Sequence, residues 1–498
     1  MTVERATRNV GWVFGLYLVR RIIRLGYLAS FARLLKEQGF GSYYFLLTVA
    51  GMLSVLSAIG MHTFMVRRLN RGQDEPRQLL GRCFALNLVT AMLFSLGLLL
   101  VAAFSDYGGE LRLGMFIMGL AVVPLALIGL FQSTCVAYEK LWIFAVLDNA
   151  IPVIEAGLGL FLLLRGYGLV SLCTLHTVLA VVYAGVFYLM VRRHIEKFGL
   201  LFDWRAWLGY LREAWKIAAS GAQTVLYRRF GVVILSLTSG NAKVGYFGAA
   251  MTLVEVLRAG ADAFRAAVFP YMVRAYKRDP DELKGFQDSC TRLLVVLALP
   301  AGMIGMLLAR PVLGLIFGAR YEAGVPVLQV LVWMVFPLFM EHVLALVCFA
   351  SGRLALPIVG QTVLFVARTV LSVLLILHFD DSPATGLAWA MLISSLIGLT
   401  AYTLLIRWRV YAYVPLAPLV RTAGATSASV LIFFLFEAHV HRLVLVPVMV
   451  VVFAIGVFVF RVLTARELEI IGRALRSFRS RRPEERVANV EDEDSAAP

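Results

Sequence analysis

The chain has 498 residues, of which 60% are hydrophobic and 16% charged, with mean hydropathy +0.82 and a formal net charge of +16. That apolar content exceeds what a soluble domain carries and marks a polytopic membrane protein. The five cysteines, Cys83, Cys135, Cys173, Cys290 and Cys348, lie in or beside apolar runs and form no metal-type pair, so neither a disulfide framework nor a metal site is expected.

Fourteen apolar segments run over 10–32, 42–66, 80–104, 113–137, 141–164, 168–191, 217–239, 244–272, 288–317, 324–350, 354–378, 383–406, 417–437 and 441–463. The first is long, broken by arginines and lacks a clear small-residue cleavage site, so it is not a cleavable signal peptide. With the N-terminus in the cytoplasm, 31 of the 47 Lys and Arg residues fall in cytoplasmic segments, 8 in outside loops and 8 within helices. This positive-inside bias sets both termini in the cytoplasm. The basic surplus is therefore topological, with anionic membrane lipid as its neighbour and no nucleic-acid partner.

The first segment carries Arg20, Arg21 and Arg24. Arg20 lies roughly 15 Å from either end of a spanning helix that rises about 1.5 Å per residue. A guanidinium at that depth costs at least ~2.5 kcal/mol, and snorkelling serves best near helix ends. These charges are expected to face something polar inside the protein. Asp148 and Glu155 share one face of the fifth segment, seven residues apart. The connection 194–216 is cytoplasmic, and Trp204, Trp207, Leu208, Leu211 and Trp215 make an apolar stripe that predicts an interfacial helix lying flat on the membrane. The seventh segment repeats the opening feature at Arg228 and Arg229.

The eighth segment holds Glu255, Arg258, Asp262 and Arg265 along one face, at offsets of three, seven and ten. That face either pairs internally to pack the helix or lines a cavity. Glu341 stands beside His342 in the tenth segment, and Arg368 is alone in the eleventh. Eight basic side chains against five carboxylates within the helices predict an electropositive cavity and an anionic substrate. Pro300 in LPAG predicts a kink.

The halves resemble each other: LYLVRR answers TVLYRR, SYYFLL answers VGYFGA, and FMVRRLNRGQD answers YMVRAYKRDPD. The pattern predicts an N-terminal six-helix lobe (1–193), a cytoplasmic amphipathic linker (194–216), a C-terminal six-helix lobe (217–410), and helices 13 and 14 (411–464). A cytoplasmic amphipathic segment and a disordered charged tail (465–498) follow. No catalytic constellation is visible. The histidines are scattered, His439 and His441 included, and no GxxxxGK[ST] phosphate loop occurs, so no cofactor and no ATP hydrolysis are expected.

The opening helix running into FARLLKEQGFGSYYF resembles the oligosaccharide-lipid (O-antigen and exopolysaccharide) flippases of the multidrug/oligosaccharidyl-lipid/polysaccharide exporter superfamily. VGYFGAAMTLVEVLRAGADAFRAAVFPYMVRAY, and LIFGARYEAGVPVLQVLVW with Gly318 and Tyr321 of a Gly-x-x-Tyr segment, carry the same resemblance. It covers nearly the whole length. It implies an all-α fold of two six-helix lobes in a V around a central cavity, with two extra C-terminal helices forming a groove for a polyprenyl tail. It also implies a bacterial inner-membrane flippase, not an enzyme, that moves polyprenyl-diphosphate-linked oligosaccharide alongside other polysaccharide-assembly proteins.

In related flippases, arginines of the first helix line the cavity, matching Arg20, Arg21 and Arg24. Arg228, Arg229, Arg258 and Arg265 are the further candidates for substrate binding, and Asp148, Glu155, Asp262 and Glu341 for ion coupling. A cation-coupled drug exporter of the same fold is the second reading, and a membrane glycosyltransferase or polymerase a more distant one, since no outside loop is long enough for a catalytic domain.

Overall fold

The computed structural model describes residues 3–462 except 73, 279, 354, 411–415, 437–441 and 461. The side chains of residues 3–20, and everything in the expected segment and tail 465–498, lie outside the described residues. The regular secondary structure of the described residues is helical, with no strand among them.

The helices are α1 (Val3–Ser57), α2 (Met61–Arg71), α3 (Pro76–Phe104), α4 (Gly109–Ala137), α5 (Leu141–Leu164) and α6 (Leu169–His194). Next come α7 (Trp204–Ser239), α8 (Asn241–Arg278), α9 (Pro280–Leu307), α10 (Ala309–Phe317), α11 (Val325–Leu331) and α12 (Val335–Ala350). The last four are α13 (Ala355–His378), α14 (Pro383–Arg409), α15 (Leu416–Phe436) and α16 (Arg442–Val459). Among the described residues, nine helices are long and apolar enough to cross a membrane. The long helices α7 and α8 fall outside that set and carry charges mid-helix. Leu93, Leu189, Leu374 and Leu435 are among many large apolar side chains left exposed, an exterior suited to lipid.

Several boundaries differ from the hydropathy reading. Segments 10–32 and 42–66 remain two helices, but they meet directly at Lys36 (φ 60°, ψ 179°), where α1 folds back so that the Phe31 and Tyr43 rings lie 6.1 Å apart. The second of them stops at Ser57, because Ile59 and Gly60 turn the chain into the separate helix α2. Segment 324–350 is divided into α11, a 3-10 turn and α12. The stretch 204–216 is the first part of α7, continuous with residues 217–239, and not a separate helix. Its stripe is split: Trp204, Leu208 and Trp215 are exposed, whereas Trp207 donates from its indole to the Arg82 carbonyl at 3.1 Å.

One apolar core joins the two halves at the end where α1 kinks. Phe31, Phe40 and Tyr43 of α1 belong to the same cluster as Phe247, Phe317, Tyr321 and Ile376. At the opposite, arginine-rich end the halves keep separate cores. Met65, Phe84, Phe131 and Phe187 form one, and Cys290, Leu294, Val347 and Tyr402 the other. Two bodies fused at one end and separate at the other make a V. A cleft of about 540 Å³ lies between its arms at the separate end. The pair α15 and α16 packs on α9 of the second half.

The fused end is tied by polar contacts as well. Gly318 (φ 97°) terminates α10, and three residues on, the Tyr321 hydroxyl donates to the Ala32 carbonyl at 3.0 Å. The Tyr321 ring meets Phe40, Phe317 and Tyr246. Arg33 donates its Nε to the Ile316 carbonyl at 2.9 Å and an Nη to that of Leu315, at the C-terminal end of α10. Tyr321→Phe removes one buried bond and orphans an acceptor, so it is expected to cost about 1 kcal/mol and lower the thermal midpoint. An unchanged midpoint would show that this contact does not hold the halves.

Candidate functional site

The site grows from the crossing of α1 and α8, the most extensive helix pairing in the fold. Glu255 on α8 faces α1, and Arg21 meets it with Nη1 at 3.2 Å from Oε2. Arg24, Arg228 and Arg229 lie within electrostatic reach of the same carboxylate. One anionic side chain thus sits among four guanidinium groups drawn from α1 and α7. Arg20 is on α1 just before them, but its side chain is outside the described residues.

Beside this cluster is a cavity of about 50 Å³. Arg228, Arg229, Arg258 and Arg368 line it with Glu255 and Glu341, so the wall is electropositive before Arg21 and Arg24 are added. Tyr44, Thr48, Tyr227 and Ser395 contribute hydroxyls. The volume holds about one or two waters. A larger guest requires the arms to move.

Arg368 is buried without a carboxylate at ion-pair distance among the described residues. It donates to Ser394 Oγ at 2.9 Å, Ser395 Oγ at 2.6 Å and the Met391 carbonyl at 3.0 Å. Its guanidinium stacks over Tyr227 at 5.0 Å. Glu341 turns a buried Oε1 that has no hydrogen-bond partner. Arg24 and Arg258 each bury an Nε without a partner. Buried polar atoms left open in this way are what a polar ligand or water would satisfy.

The remaining candidates separate. Asp262 pairs with His342 at 3.4 Å between α8 and α12, which is the internally paired alternative for that part of the face. Arg265 is exposed near Asp262 and does not line the cavity. Glu155 accepts from the Tyr43 hydroxyl at 3.1 Å and lies 2.8 Å from His176 Nδ1, with Arg24 in reach. Asp148 is further off, accepting from Tyr183 at 3.4 Å. Sequence reasoning did not select Glu255 or Arg368 as site residues. A lone arginine mid-helix was the available signal for Arg368.

The sequence pattern of the family described as polysaccharide biosynthesis protein matches residues 6–276, more than half of the chain. The chain belongs to the polysaccharide biosynthesis protein family. No curated protein matches it. The fold of this chain is similar to that of a structure described as the lipid II flippase MurJ in an inward closed conformation, at TM-score 0.74 and 13% identity over 90% of this chain and 98% of that one. An inward-facing multidrug resistance MATE transporter of the MOP superfamily aligns at TM-score 0.62 and 13% identity, over 78% and 94%. The Vibrio cholerae MATE transporter VcmN aligns at 0.55 and 13%, over 81% and 96%. At these identities the likeness is one of fold. It makes this member of the polysaccharide biosynthesis family a multi-pass membrane protein with the flippase and transporter architecture.

Proposed function

We propose that this protein moves a polyprenyl-diphosphate-linked oligosaccharide, the repeat unit of a polysaccharide, from the cytoplasmic to the periplasmic leaflet of the bacterial inner membrane by alternating access. The observation that carries the reading is the excess of arginine over carboxylate around one small cavity between the arms of the V. Guanidinium groups hold a diphosphate through charge-assisted, often bidentate bonds. The glycan would occupy the opened cavity while the isoprenoid tail stays in lipid.

On this reading both termini are cytoplasmic, the arginine-rich end of the V faces the cytoplasm and the fused end the periplasm. The lobes divide at the 194–216 link, with 411–464 added to the second. An inside-negative potential favours outward transfer by ~2.3 kcal/mol per charge per 100 mV. Among the coupling candidates, Glu341 stands on the cavity itself and is the best placed to exchange a proton with it. Anionic lipid surrounds the basic loops, and other polysaccharide-assembly proteins supply and receive the substrate.

Deletion of the gene in its host tests the reading. Complete lipid-linked repeat units should accumulate in the inner leaflet, out of reach of an externally added glycosidase, while polymer is lost. Accumulation of only a truncated precursor would mark a glycosyltransferase. Unaltered glycan with increased drug sensitivity would favour the exporter reading.

A further inference from the structure

The cleft at the arginine-rich end has a chemistry of its own. Lys216, Ser220, Thr224 and Gln361 line it with Arg67 and His62, and no carboxylate is among its lining residues. Arg68, the neighbour of Arg67 on α2, is bound to Asp74 at 2.8 Å and Glu213 at 2.6 Å. Arg67 and Lys216 have no carboxylate at ion-pair distance among the described residues, though both stand on the cleft. Two uncompensated cations, one from each arm, facing a cleft with no carboxylate make a site for an anion.

The cleft also leads somewhere. Lys216, Ser220, Thr224 and Arg228 recur every fourth residue along α7, which places them on one ridge of the helix. Ser220 and Thr224 donate to Gln361 Oε1 of α13 at 3.5 and 3.4 Å, so the ridge is hydroxyl and amide for two turns. The next turn carries Tyr227 and Arg228, which line the inner cavity. From Lys216 to Arg228 the path is about 18 Å along the helix. Leu56, Ile59 and Ile358 supply an apolar wall beside the cations.

We propose that this cleft is a loading site, distinct from the inner cavity, for the phosphate group of the lipid-linked ligand. Arg67 and Lys216 take the phosphate first, and the Ser220–Thr224–Gln361 ridge passes the polar head group to Arg228. The assignment rests on the function proposed above for its substrate, but the anion site itself can be tested without transport. A phospholipid head group offers the same phosphate chemistry, and the test separates the two sources.

The probe is Gly221→Cys. Gly221 lines the cleft, a Cβ there meets nothing within 4 Å, and all five native cysteines are buried. The full chain is placed in nanodiscs of phosphatidylcholine, and labelling by a water-soluble thiol reagent is timed with and without inorganic pyrophosphate. Pyrophosphate is expected to slow labelling several-fold, and the slowing is expected to vanish in Arg67→Gln/Lys216→Gln. That double variant should label at the parent rate without pyrophosphate, which checks that the cleft is intact. Labelling indifferent to pyrophosphate overturns the site. Slowing by phosphatidylglycerol to which pyrophosphate adds nothing assigns the anion site to the bilayer and overturns the loading role.

A second readout is translocation. The double variant, which removes both cations, should raise the half-saturating concentration of lipid-linked oligosaccharide by at least about tenfold, with the maximal rate kept. A lowered maximal rate at unchanged half-saturation would contradict a loading role. If the parent protein moves no such lipid at all, the proposed function fails, and pyrophosphate protection still decides the anion site.

Discussion

Arg24→Glu and Arg228→Glu, made singly, are expected to abolish glycan export while the protein accumulates in the membrane near its normal level. Arg24 and Arg228 stand around Glu255 in a water-poor site, where a reversed charge repels a diphosphate more strongly than it would in water. Arg→Lys at either position keeps the charge and loses the planar fork, so export should weaken without vanishing. The expected order is wild type, Lys, Ala, Glu.

Purely structural pairing would give a different result, because removing one partner of a buried ion pair costs about 3–5 kcal/mol and lowers folded protein. Here neither carboxylate near Arg24 depends on it. Glu255 retains Arg21, Arg228 and Arg229, and Glu155 retains His176 and Tyr43. Quantitative blotting of membranes alongside surface glycan therefore separates the roles. Lost export with lost protein would assign these arginines to packing.

The second large effect is expected at Gly41. A Cβ there would lie 1.7 Å from the Asn241 carbonyl oxygen on α8. Gly245 reciprocates, its Cβ falling 2.2 Å from the Glu37 carbonyl oxygen on α1. Both obstructions are backbone and cannot swing away, so the cost exceeds the ~1–3 kcal/mol of ordinary overpacking. Gly41→Val should force α1 and α8 apart at the fused end and deplete the conformation described here. Asn241 donates to Ser42 Oγ at 3.0 Å, so Ser42→Cys/Asn241→Cys reports the contact by crosslinking. Crosslinking should be efficient in the parent and nearly lost with Gly41→Val. Transport should stop too, since alternating access needs both end states populated. Undiminished crosslinking would mean that the glycines do not set this closure.

The arginines of the first and seventh segments could be read from the sequence because a charge at mid-membrane depth is anomalous wherever it appears. Glu255 was visible as one member of a charged helical face. Its place among four guanidinium groups follows from α1 crossing α8 at Gly41 and Gly245, a contact that hydropathy does not encode. The break in α1 was legible as the polar stretch between the first two apolar segments, although neither proline nor glycine marks Lys36 as the residue where the chain turns. Gly318 and Tyr321 stood out through the family resemblance. That they tie the two halves together depends on Ala32, 289 residues away in the chain. The fate of 204–216 was obscured because an amphipathic stripe looks alike at a membrane surface and against a neighbouring helix.

The most direct measurement places purified protein in liposomes with a fluorescent polyprenyl-diphosphate oligosaccharide and follows its exposure to a reducing quencher outside. Wild type should translocate the lipid without making or breaking a glycosidic bond, and Arg24→Glu/Arg228→Glu, equally folded and equally reconstituted, should not. Equal translocation by both proteins would contradict a diphosphate-binding arginine cavity, as would a folded wild type that moves none.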